Sequence, residues 1–154
     1  MKAILLATAL LLVAFRVEAN DWPLKDLPDD AQLAYLTLDR ADAFAFGPIG
    51  FAAFTAEGDL ALRILVRHPK AIPILQLIAD HATPGGLYAL TALHALDHNA
   101  YAESLPKFKA SLSRFEPGKK VTLQAACIAH EEPITDVLTK IDAGTYDSFI
   151  PKPK

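Results

Sequence analysis

Two histidines four residues apart, His94 and His98, stand in the stretch TPGGLYALTALHALDHNAY at 83–101. On one regular helix that spacing projects both imidazoles from one face, where they can share a divalent metal ion. Two ligands fall short, since a structural zinc takes four and a catalytic zinc normally three. Asp97 lies about 60° round the helix from His94, and His81 belongs to the preceding helix, so a third ligand is open but not implied. Thr91, His94 and His98 also make up the non-apolar edge of a helix otherwise covered by leucine and alanine, and a histidine near a helix C-terminus is favoured by the dipole. The expectation is a solvated polar edge, with no metal and no cofactor. Metal binding through His94 and His98 is the first alternative.

Other reactive residue types are sparse. SLPK at 104–107 has the S-x-x-K spacing of serine acyl-enzymes, but no S-D-N or K-T-G partner accompanies it, and Pro106 disturbs the turn that brings Lys107 onto Ser104. G-x-S-x-G, the P-loop, G-x-G-x-x-G and H-E-x-x-H are all missing, as is the D-x-D-x-D-G pattern of a calcium loop. The run His130-Glu131-Glu132 precedes Pro133 and a helix, where negative charge complements the dipole. Cys127 is the only cysteine, so no intramolecular disulfide forms. Its apolar surroundings, LQAACIAH, suggest a buried, inert thiol, with a cross-linked dimer as the other reading. No catalytic residue is assigned, and the chain is expected not to be an enzyme.

The elements that position these residues begin after a leader. Lys2, the apolar run AILLATALLLVAF and VEA ending at Ala19 have the order of a secretory signal, so residues 1–19 are expected to be removed and the mature chain to start at Asn20. That implies export, to the periplasm in a Gram-negative cell and to the medium otherwise. Removing 19 of 154 residues leaves 135, enough for one domain over 20–150 with a frayed tail at 151–154. The full chain has 15 basic and 18 acidic residues; losing Lys2, Arg16 and Glu18 leaves 13 against 17. This weak acidic bias argues against nucleic acid as a partner. No second long apolar run follows, so no integral membrane segment is expected after signal removal.

Within 20–150 the pattern predicts helices. The first covers PDDAQLAYLTLDRADAFAF, with Asp29 and Asp30 in its first turn; GPIGFAAF then breaks it. Further helices start at Thr55, before Pro73, at Thr83-Pro84 and at Pro133, while Pro106 is expected to kink or split the one that carries it. KKVTLQAACIA has β-branched, alternating residues and reads as a short extended segment near 120–129, although LQAACIAH also suits a buried helix. Short connections favour antiparallel helix pairs, and the fold class expected is mainly all-α.

DLALRILVRH and LYALTALHAL match at a spacing of 28, at Ala61 with Ala89, Leu62 with Leu90 and Leu65 with Leu93. Over residues 55–113 the chain resembles HEAT-like helical repeats, which implies helix pairs stacked in a layer with an extended binding surface. An aromatic connection lies beside this region, and Phe46, Phe51 and Phe54 are its candidate partner-binding residues. The function expected is non-catalytic binding of a protein partner, of the inhibitor or immunity type, by a monomer or dimer. An enzyme without a recognisable motif is the second alternative.

Overall fold

The computed structural model describes residues 24–50, 54–115 and 118–152. The expected signal at 1–19 and the candidate Phe51 lie outside them. Helices α1 (Asp29–Asp39), α2 (Glu57–Leu65), α3 (Ala71–Ala79), α4 (Pro84–Leu96), α5 (His98–Phe115) and α6 (Ile134–Asp142) accompany strands β1 (Ala43–Ile49), β2 (Phe54–Thr55), β3 (Lys120–Ala126) and β4 (Ile128–Pro133). The strands form one mixed sheet in the order β2-β1-β3-β4, with β1 and β3 parallel and both outer pairs antiparallel. The class is therefore α/β, and the all-α expectation is overturned. Its cause is local: α1 stops at Asp39, and Ala43-Phe44-Ala45-Phe46 alternates with the period of a strand, sending Phe44 towards one face and Ala45 towards the other.

The extended segment near 120–129 is one arm of a hairpin that runs to Pro133, with Ala125 opposite Ile128 across a turn at Ala126 and Cys127. Ala126 sits at φ +50, a left-handed conformation that a side chain adopts only at a cost. Thr55 is not a helix cap but part of β2; Ala56 holds the cap position of α2. Pro106 lies inside α5 without splitting it.

Helix α4 organises the core. Thr83 caps it by accepting the Gly86 N–H at 3.1 Å, Pro84 opens it, and every residue from Gly85 to Leu93 is buried. Its first turn lies against two other chain segments: a Cβ on Gly85 would stand 2.1 Å from the Leu38 carbonyl oxygen, and one on Gly86 2.0 Å from that of His81. Only glycine permits such close approach. After the sheet, α6 buries Ile134, Val137, Leu138 and Ile141, one face at helical spacing. A 3-10 turn at Asp147–Phe149 follows, and Ile150 is still in the core.

Candidate functional site

Helices α1 and α2 pack side by side, with small residues among the buried positions of each. Ala31, Ala34 and Leu38 are the buried positions of α1; Gly58, Ala61, Leu62 and Leu65 are among those of α2. Small side chains at the contact let the backbones approach, so larger residues on either flank stand proud as walls. Leu33 is 66% exposed, Leu36 36%, Leu60 49% and Ile64 40%. Between them runs a groove of about 340 Å³ whose lining includes Ala34 and Ala61 as well as Leu33, Leu60 and Ile64. It shares Leu33, Thr37 and Glu57 with a deeper cleft of about 560 Å³ that reaches Ala43, Ala45 and Ile49 of β1 and ends at Gln124 of β3. The two form one trough. Phe54, 70% exposed, pairs across the sheet with Ile49 and so stands beside its far end.

Two buried polar groups hold the trough in shape. At its base the Tyr88 hydroxyl donates to the Ala45 C=O at 2.6 Å and accepts the Ala45 N–H at 2.7 Å, taking the place of a strand neighbour that the two-residue β2 does not supply. Burial raises the Tyr88 pKa far above its ordinary value, so the hydroxyl remains a donor. Gly58 lets the ring in: a Cβ there would lie 2.5 Å from Tyr88 Cε2. Asp59, fully buried, accepts from Arg63 Nε at 2.7 Å and Nη2 at 3.2 Å and from the Gly47 N–H at 3.2 Å, which pins β1 to α2. The charged groups lining the trough are Asp30, Asp42 and Glu57 against Arg40, a net acidic surface. Apolar walls with a few charges around them have the chemistry of recognition.

The residues singled out from sequence fall elsewhere. His94 and His98 lie on different helices, because Asp97 takes an extended conformation between α4 and α5. Their rings remain 5.2 Å apart, with Tyr101 packed against both. The solvated edge is corrected: Thr91 is fully buried and donates to the Leu87 C=O, and the His94 side chain is 12% exposed, its Nδ1 lying 3.0 and 3.1 Å from the two carboxylate oxygens of Asp147. Only His98 of the three is exposed. The Tyr101 hydroxyl donates to Asp142 close by. Among the described residues no group of three His, Cys, Asp or Glu is placed to hold a metal ion.

Ser104 is fully buried with no hydrogen-bond partner, and Lys107 Nζ lies 3.7 Å from Asp80, so S-x-x-K is not an acyl-enzyme pair here. Glu131 and Glu132 belong to β4, and Glu132 is engaged with Lys140 at 2.6 Å. Cys127 is exposed at the hairpin turn, contrary to the buried thiol expected, because the apolar run around it extends past the core. Phe46 is half-buried among aromatic side chains and does not line the trough. The trough residues themselves were missed. Their signal was an α2 with more apolar positions than one buried face needs: Leu60 and Ile64, four apart, lie outside the set Ala61, Leu62 and Leu65.

No helix among the described residues is long and apolar enough to cross a membrane. Comparison with protein-family models, with curated proteins and with solved structures found no match to this chain.

Proposed function

We propose that this chain works by non-catalytic binding of a protein partner, and that the trough between α1, α2 and β1 is where the partner docks. One observation carries the reading: four large aliphatic side chains, Leu33, Leu36, Leu60 and Ile64, are exposed along one continuous concavity. Contiguous exposed apolar surface costs solubility and marks interaction sites, whereas scattered single residues do not. The shape suits an amphipathic helix laid into a groove, its apolar face supplying anchors at i, i+3, i+4 and i+7. The acidic bias of the lining favours basic residues on that helix's flanks. An inhibitor or immunity-type role, with export directed by residues 1–19, belongs to the same proposal.

The test is an NMR titration of ¹⁵N-labelled protein with two designed amphipathic helical peptides, one of leucine and lysine and one of leucine and glutamate. The lysine peptide is expected to shift the amides of Leu33, Thr37, Leu60 and Ile64 and to bind more tightly. Leu33→Gln with Leu60→Gln, which removes two apolar anchors without adding charge, should abolish the shifts with only a small change in melting temperature, since about half or more of each side chain faces solvent. Shifts elsewhere on the molecule, or none at millimolar peptide, would remove the trough from the function.

A further inference from the structure

A second concavity opens where the sheet meets α6 and the 3-10 turn. It encloses about 240 Å³ and shares only Gln124 with the trough. Its deep residues are apolar: Phe44 is 2% exposed and Leu123 8%. The more exposed lining is aromatic. The Phe46 and Phe149 rings lie nearly parallel, 10° apart with centroids at 5.3 Å, and Tyr146 stands 5.8 Å from Phe46. These rings pack on one another and together line the cavity, and an aromatic lining favours a flat π-system as guest, through offset stacking and edge contacts.

The rim determines the charge of that guest. Lys140 Nζ meets both carboxylate oxygens of Glu132, at 2.6 and 2.7 Å, and His130 Nε2 is 3.7 Å from the same carboxylate. Lys140 and Glu132 are matched in charge, so the pair as a unit gives the rim no net charge to favour an anion or a cation. Polar groups remain for one hydrogen bond, from the Gln124 amide and the Tyr146 hydroxyl, which burial keeps protonated above its usual range. The volume lies below the roughly 300 Å³ at which drug-sized pockets begin, which limits the guest to one ring or two fused rings.

We propose that this pocket binds an uncharged planar aromatic molecule with a single hydrogen-bonding group, an indole or a phenol, lying against Phe46, Phe149 and Tyr146. It is a site for a small molecule, separate from the protein-docking trough.

The experiment is a titration of the labelled full chain with indole, run beside benzoate, which has a ring and a charge, and cyclohexanol, which has a hydroxyl and no flat face. Indole should give intermolecular NOEs to the ring protons of Phe46 and Phe149 and bind about tenfold more tightly than either control, the scale of a stacking contact or of a charge left unmatched at the rim. Phe149→Ala, which removes a partly exposed wall stacked on Phe46, should weaken indole by about tenfold and lower the melting temperature, with the amide spectrum away from the pocket remaining that of the parent. If that variant does not fold, the NOEs in the unaltered protein decide. Absence of those NOEs at millimolar indole, equal binding of benzoate or cyclohexanol, or a folded Phe149→Ala with unchanged affinity would overturn the assignment.

Discussion

Replacing Tyr88 by phenylalanine removes one oxygen atom and leaves two backbone groups without partners. The ring stays, and with it the packing against Phe44 and Phe46 at centroid distances of 4.9 and 5.1 Å, so little hydrophobic burial is lost. What changes is Ala45, which is 4% exposed and whose N–H and C=O both bond to the hydroxyl. A buried donor or acceptor left unmatched costs about 1 to 3 kcal/mol, which brackets the pair at about 2 to 6 kcal/mol. Because Ala45 and Tyr88 both line the cleft, a water can enter and restore part of the bonding. The expected loss is therefore near the lower bound, about 2 to 3 kcal/mol. Urea unfolding of the two proteins measures it, with an unchanged slope against denaturant as the sign that both states keep their compactness. Hydrogen exchange supplies an independent readout, since the Ala45 amide should lose protection out of proportion to the global change. A variant within about 0.5 kcal/mol of the parent, with Ala45 as protected as before, would refute the idea that this hydroxyl substitutes for a strand.

Gly85→Ala gains helix propensity but drives a methyl group to 2.1 Å from the Leu38 carbonyl, so thermal melts should show a net loss of about 1 to 3 kcal/mol from the overpacking of α4 on α1. Ser104→Ala should go the other way, neutral or stabilising by up to about 1 kcal/mol, because it deletes a buried hydroxyl that has no partner and puts the better helix former in α5; a clear loss in the same melts would reveal a hidden partner. The phenols of Tyr35, Tyr88, Tyr101 and Tyr146 are all raised above 10.0, chiefly by burial, and Lys140 is raised above 10.5, chiefly by its hydrogen bond to Glu132. Above pH 10 the unfolded chain thus sheds protons that the folded chain keeps, so stability is full below that pH and falls as pH rises through it; melts across the alkaline range should show the fall, with a shallower slope in Tyr101→Phe.

What the sequence discloses is what neighbours along the chain decide. Thr83-Pro84 opens a helix because the cap bond closes over three residues, and the face Ile134, Val137, Leu138, Ile141 is buried as its spacing requires. Ala43–Phe46 was less legible: alanine suits a helix, four alternating residues make a short signal, and the strand that completes the pairing lies far along the chain at β3. The contact of His94 with Asp147 spans 53 positions and has no local signature. The trough is harder still, since Leu60, Leu62, Ile64 and Leu65 are alike as residue types. Which of them meets water depends on where α1 and α4 lie against α2.

The parallel pairing of β1 with β3 also sets an order of assembly. Between Ile49 and Lys120 the chain makes β2 and four helices, so β1 waits through all of them for its main partner. The helices can dock early through short loops, whereas closing the sheet carries the entropy of a long loop, so refolding followed by hydrogen exchange is expected to show the β1 amides protected after those of α4. As the chain is synthesised, Phe44 and Phe46 lack the Leu123 side of the sheet until the C-terminal portion has emerged. A chain ended before Lys120 keeps the segments of α1 to α5 but lacks α6 as well as β3 and β4, and leaves an alternating aromatic strand open along one edge, the kind of segment that pairs with other copies. The C-terminal portion from β3 onward thus covers an edge of β1 that would otherwise stand open to pairing with other copies.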